Sequence, residues 1–236
     1  MTNTDRLRAR LQTVWKPADF APFFKKFSKR SPHKIKKGTI LFNQGDPLER
    51  LYFIQQGFIK LYQISEEGRE TTIYLYGPGY VLGVRALTSK DTSAKHNAET
   101  ITDTIVLTMS HREYFDAIIA NPEYLLDLTH IFIDRLNYTE RKLEGFIITD
   151  TTARVANFLA DCIKRFCHNG KKNEPIVLPF ELTHQRIAEF VGSFRETATV
   201  AIQRLEKEGI LTVDRGKVTI LNVKKLTDYA QFHKRS

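Results

Sequence analysis

The chain has 236 residues, of which 42% are hydrophobic and two are cysteine, and a formal net charge of +9. That length accommodates two domains of ordinary size, each with its own core. Two cysteines rule out a disulfide scaffold, the charged opening MTNTDRLRARL is not a secretory signal, and no apolar run reaches membrane-spanning length, so a soluble cytoplasmic protein is expected.

Residues 3–14 and 17–28 read as helices. Residues 1–37 carry eleven Lys and Arg against Asp5 and Asp19. Their apolar side chains (Leu7, Leu11, Trp15, Phe20, Phe23, Phe24, Phe27) are expected to pack on the acidic segment that follows. Residues 38–146 hold ten basic and fifteen acidic side chains, and residues 147–236 hold fifteen and ten. A chain basic at both ends favours a polyanionic partner.

From Lys34 to Met109 the pattern turns to short β-prone runs: TILF, LYFIQQG, FIKLYQI, TTIYLYG, YVLGV and TIVLTMS. Glycines at 38, 45, 57, 68, 77, 79 and 83 separate them. Many short strands with spaced glycines predict a β-sandwich, jelly roll or barrel. EYFDAII reads as a short helix, and Pro122 opens a long one.

The long helix places Leu125, Leu128, Phe132, Leu136, Thr139, Leu143 and Phe146 at heptad spacing, a seam for a second helix of the same kind and so for a homodimer. Asp150 caps the next helix, Thr151 to Cys167. Cys162 and Cys167 fit neither a zinc knuckle nor a thioredoxin-type pair and read as two buried thiols on one helix. After the strand IVLPF, Thr183 caps a helix that ends at Phe190. Gly192 makes a turn, a further helix runs to Gly209, and ILTVD and KVTIL form a hairpin about Arg215-Gly216.

Helix, short turn, helix, hairpin is the order of a winged helix-turn-helix. In its second helix Ala198, Ala201, Ile202 and Leu205 form an inner face. Arg195, Glu196, Thr199, Val200 and Gln203 are left on a mixed outer face suited to the major groove of duplex DNA. There Arg195 reads guanine and Glu196 accepts from cytosine. Thr183, Gln185, Arg215 and Lys217 add base or phosphate contacts. Ser193-Phe194-Arg195-Glu196 also fits a capping box, in which Glu196 serves its own helix instead. The domains expected are 1–121, an effector domain; 122–149, a dimerisation helix and hinge; and 150–236, the DNA-binding domain. No HExxH, P-loop, GxSxG or acidic metal cluster points to an enzyme. A cyclic-nucleotide-binding regulatory module would leave the last ninety residues without a task.

LTHQRIAEFVGSFRETATVAIQRLEKEGIL and, from Gly38, GxxLFNQGDPLERLYFIQQGFIKLY resemble the two signatures of the CRP/FNR family, bacterial transcription regulators related to the cyclic AMP receptor protein. The resemblance covers nearly all of the chain after about residue 30. It implies an α+β fold: an N-terminal β-roll of the cyclic-nucleotide-binding type, a long dimerisation helix and a C-terminal winged helix-turn-helix. It also implies base reading by Arg195 and Glu196, a hinge at Asp150 and RNA polymerase as a partner. Val200 stands where the family commonly has a second arginine, and Phe194 where a small polar residue is usual.

The effector pocket implied by the resemblance comprises Leu82, Gly83, Val84, Arg85, Lys95, Thr139 and Glu140. Val84 takes the place of the ribose-binding Glu, and Ala94 and Lys95 that of the phosphate-binding Arg-Ser pair, so cyclic AMP is not the expected effector. Lys95 or Arg85 either cradles another anion or is merely solvated. An iron–sulfur cluster is not expected, because the first cysteine is Cys162. A haem-based gas sensor, with His33 or His96 as ligands, is the alternative, and no metal site is assigned.

Overall fold

A computed structural model describes residues 31–87, 91–122, 124–167 and 174–232. The helices expected at 3–14 and 17–28, and the packing of that segment on its neighbour, lie outside the described residues. By contacts the chain forms two compact units. Of the described residues, those up to 63 and from 74 to 137 make up the first, and those from 64 to 73 and from 138 onward the second.

Among the described residues an antiparallel roll of eight strands makes up most of the first unit, with Ile64 of β4 and residues 70–73 of β5 counted in the second: β1 (His33–Ile35), β2 (Ile40–Phe42), β3 (Arg50–Gln56), β4 (Ile59–Ile64), β5 (Glu70–Tyr76), β6 (Val81–Leu82), β7 (Asn97–Thr100) and β8 (Thr104–Ser110). They form two four-stranded sheets, ordered β1-β8-β3-β6 and β2-β7-β4-β5. Alternation along β3 and β8 explains how the first sheet buries one face. Leu51 stands opposite Met109 and Phe53 opposite Leu107, and Val81 of β6 pairs with Phe53. Same-face pairs of this kind are the unit of sheet stability. These side chains share one apolar cluster with Tyr114, Ala117 and Ile118 of helix α1 (His111–Ala120) and Leu128 and Ile131 of helix α2 (Tyr124–Ile148).

Helix α1 starts at a complete capping box. Glu113 N–H donates to Ser110 Oγ at 3.2 Å, and Ser110 N–H donates to Glu113 Oε2 at 2.7 Å. Two helix-end donors are satisfied reciprocally. Where YVLGV reads as one strand, only Val81 and Leu82 pair. A 3-10 turn at Val84–Leu87 follows. The strands β1 and β7 were not anticipated.

The second unit holds the later part of α2, helix α3 (Thr151–Phe166), strand β9 (Ile176–Val177), helices α4 (His184–Val191) and α5 (Arg195–Lys207), strands β10 (Leu211–Asp214) and β11 (Lys217–Ile220), and helix α6 (Val223–Phe232). Its sheet is ordered β10-β11-β9. As expected, Asp150 caps α3, accepting from Ala153 N–H at 2.8 Å, and Thr183 caps α4, accepting from Arg186 N–H at 3.2 Å. The core stacks Phe158 on Phe190, with ring centroids 4.4 Å apart. Around it lie the fully buried Leu159, Leu182, Ile187, Ala198, Ile202 and Leu205. Helix α6 was missed by the sequence reading, and the division between the units falls inside α2 rather than at either of its ends. Among the described residues no helix is long and apolar enough to cross a membrane.

Candidate nucleic-acid interface and effector residues

Gly192 sets the angle between α4 and α5. It caps α4 in the left-handed conformation, φ 60° and ψ 49°, which glycine adopts without the steric cost a Cβ imposes. The ring of Phe146 closes over it: a Cβ on Gly192 would stand 2.7 Å from two of its ring carbons. Arg154 ties the same corner together. It donates from Nε to the Val191 carbonyl at 3.2 Å and from Nη1 to the Thr149 carbonyl at 3.0 Å.

Helix α5 buries Ala198, Ala201, Ile202 and Leu205, as the inner face predicted. On the opposite face Glu196, Val200 and Gln203 are exposed, with Val200 65% exposed, and Arg195 is exposed beside them. Their spacing of three or four residues places them on one stripe. The capping-box reading of Glu196 is not met. The N-cap is Phe194, which makes no side-chain cap bond, so the helix begins one residue later than that box requires. Phe194 is itself exposed, with the Arg69 guanidinium 4.3 Å over its ring centroid.

Three of the remaining residues expected to contact DNA already have local tasks. Thr199 is half-buried and its hydroxyl lies 3.1 Å from His184 Nδ1. Gln185 donates to Glu189 at 2.9 Å, and Thr183 is the cap described above. The hairpin behaves as expected. Arg215 and Gly216 have φ of 48° and 84°, the pair of positive values a two-residue type I′ turn demands. Arg215 and Lys217 both face solvent.

The seam of α2 is divided. Leu128 is buried in the roll's cluster, and Phe132 packs against it, so those two serve the chain's own core. Phe146 covers Gly192. Leu125, Leu136, Thr139 and Leu143 are exposed, as are Ile133 and Ile147, which the heptad did not include.

Of the effector residues, Leu82, Gly83, Val84, Arg85 and Lys95 belong to the first unit and Thr139 and Glu140 to the second. Leu82 and Val84 are 1% and 2% exposed. Val84 belongs to the apolar cluster that includes side chains of α1 and α2, so its side chain contributes to packing. Gly83 is half-buried and Arg85 exposed. Lys95 is bonded to Asp91, whose carboxyl is held well below the usual carboxylate range by hydrogen bonds from Lys95 and Ser93. Thr139 and Glu140 are exposed on α2. Of the two histidines considered for haem, His33 is exposed on β1, in one sheet. His96 is half-buried just before β7, in the other. Burial and the nearby Arg135 and Arg85 charges push the His96 pKa down.

Residues 32–121 match the family model of the cyclic nucleotide-binding domain, and residues 153–229 match that of the Crp-like helix-turn-helix domain. A solved transcriptional regulator of the CRP/FNR family from Thermus thermophilus is 26% identical, with a TM-score of 0.71 over 86% of this chain and 100% of that one. The chain belongs to the CRP/FNR family. It is a CRP-family transcription regulator with a helix-turn-helix DNA-binding domain. A curated relative, the global nitrogen regulator of Nostoc sp., is 29% identical over 190 residues, 79% of this chain and 83% of its own length. The CRP-like cAMP-activated global transcriptional regulator of Mycobacterium tuberculosis is 27% identical over 200 residues, 85% and 88% of the two chains.

Within this CRP/FNR chain, sequence reasoning missed the role of Glu206. Glu206 Oε1 accepts from Val213 N–H of β10 at 2.9 Å, binding α5 to the hairpin. A carboxylate in the last turn of a helix, with a strand to follow, carries no distinctive sequence pattern.

Proposed function

We propose that this protein is a homodimeric, sequence-specific DNA-binding regulator whose activity is gated by a ligand other than cyclic AMP or is independent of any effector, and that it acts through RNA polymerase. The observation that carries the DNA reading is the outer face of α5. A helix with one fully buried face presents Val200 openly between Glu196 and Gln203, with Arg195 beside them. A bare carboxylate and an apolar methyl pair serve cytosine N4 and the thymine methyl in the major groove. The homodimer rests on Leu125, Leu136 and Leu143, which leave an apolar stripe exposed along α2. The effector reading rests on Val84, whose apolar side chain is committed to the core.

Selection of binding sites from a random duplex pool tests the first claim. The expected product is a near-palindrome with half-sites about 34 Å apart. Glu196→Ala should relax one base pair in each half-site at a cost of about 1–3 kcal/mol. An asymmetric consensus, or an unchanged one in the variant, refutes it. Calorimetric titration with cyclic AMP tests the effector claim. No binding heat is expected, and a micromolar dissociation constant coupled to tighter DNA binding overturns it.

A further inference from the structure

The second unit encloses a cavity of about 460 Å³ that contains none of the residues assigned above to DNA or to the effector pocket. It lies between the later part of α2, helix α3, the end of α4 and helix α6. Its volume falls among those of small-molecule sites. The stacked rings of Phe158 and Phe190, together with Phe146, give it flat apolar walls.

Its edge is cationic. Arg141, Lys142, Arg154 and Lys164 line the cavity against one acid, Asp161. That acid is already shared by Arg141 and Arg165, each at 3.3 Å. Arg154 is committed to backbone carbonyls, and Lys142 donates to the Thr72 carbonyl at 2.6 Å. Lys164 is exposed, and Arg141 is half-exposed with donors to spare. A site with apolar walls and surplus positive charge at its edge selects an anion with an apolar body.

The cavity is compatible with dimerisation. Tyr138, Arg141, Lys142 and Gly145 face it from one side of α2. Leu136, Leu143 and Ile147 project about half a turn away. A second chain on that stripe leaves the cavity uncovered.

We propose that this cavity binds a small organic anion with a flat apolar body, of the aromatic carboxylate or sulfonate class, and that its occupancy changes the affinity for DNA. Phe146 lines the cavity and rests on Gly192, and Arg154 lines it and holds the Val191 carbonyl. A ligand between them bears directly on the turn that sets α5. The second half of the proposal rests on the DNA reading given above. The first does not.

Fluorescence titration of the full chain with 1-anilinonaphthalene-8-sulfonate tests the binding. Saturable binding of one probe per chain is expected. Its neutral analogue N-phenyl-1-naphthylamine should bind at least about fivefold more weakly for want of the charge. Ala160→Phe fills the cavity from α3 and should weaken the sulfonate by roughly tenfold or more. Lys164→Glu, an exposed change that leaves the core intact, should weaken the sulfonate and spare the neutral probe. Sulfonate affinity unchanged in both variants overturns the site, and equal affinity for the two probes overturns the anionic class. Saturating sulfonate should shift the dissociation constant for a selected duplex by roughly threefold or more in the wild type and not in Ala160→Phe. An unshifted constant overturns the coupling. Absence of DNA binding with and without the probe overturns the DNA reading while leaving the titration to judge the cavity.

Discussion

Replacing Gly192 by alanine separates two contributions to the geometry of the helix-turn-helix. The left-handed backbone at φ 60° costs an ordinary L-residue about 1–2 kcal/mol. The unfolded chain loses freedom on the same change, which returns about 0.4–1 kcal/mol. The new Cβ also meets the Phe146 ring at 2.7 Å. That ring is 43% exposed, and its outer edge makes the contact, so it turns aside rather than deforming the backbone. Giving up part of its burial costs on the order of 1 kcal/mol. The net expectation is a loss of about 1–2.5 kcal/mol, and about 1 kcal/mol less than that when Phe146→Ala is already present. Amide hydrogen exchange of peptides from α4 and α5, measured in the four chains of that cycle, reads the local stability directly. Equal costs on both backgrounds would show that the ring does not rest on the turn. A gain in protection on either background would refute the left-handed assignment.

Arg215→Gly should stabilise the hairpin by about 1 kcal/mol, because arginine is strained at positive φ, and should lower the salt slope of DNA binding by about one unit. Thermal melts and binding isotherms at several salt concentrations check both, and an unchanged slope removes Arg215 from the interface. Leu143→Glu places a charge on the exposed stripe of α2 and should shift the chain to monomer in sedimentation experiments. A dimer that persists sends the interface elsewhere. Burial holds the Lys142 pKa down to about 8 from its ordinary 10.5, although its hydrogen bond to the Thr72 carbonyl favours the ammonium and opposes the shift. The folded chain then releases this proton before the unfolded chain does, so the stability of the wild type relative to Lys142→Met rises with pH between about 8 and 10.5. Urea titrations across that window check the sign, and a flat difference refutes it.

The winged-helix half was legible because its signals are local. Asp150 and Thr183 cap, Gly192 turns, and the apolar spacing in α5 marks its buried face. The same rules misled at Ser193. The residues of a capping box are present there, but the helix begins with Phe194 as N-cap, while the box that does form, Ser110 with Glu113, opens α1. Strand β7 was hidden because the side chains it buries are the small Ala98 and Thr100. Its Glu99 is matched by Lys60 at 3.3 Å, a pairing no linear pattern reveals. Helix α6 was hidden by its polar composition. Leu226 and Ala230 are its clearest buried positions, and Asn222 Oδ1 accepts from Lys225 N–H at its start. The heptad in α2 was real as a pattern and mixed as a cause. Leu128 answers to the roll, Phe146 to Gly192, and Leu136 and Leu143 to neither.

The bond from Val213 N–H to Glu206 has a consequence for the spacing of whatever the DNA-binding half grips. It joins the strand before Arg215 to the last turn of α5, while the Leu221 and Asn222 N–H groups both donate to the Ile210 carbonyl at the other end of the hairpin. Helix and wing therefore behave like the two jaws of a fixed caliper. Under the proposed contacts, the distance between the base edges read by Glu196 and the phosphate met by Arg215 is set by the protein alone. Operators that change the bases cost affinity one contact at a time, whereas operators that widen or narrow the groove between those two points lose both jaws together.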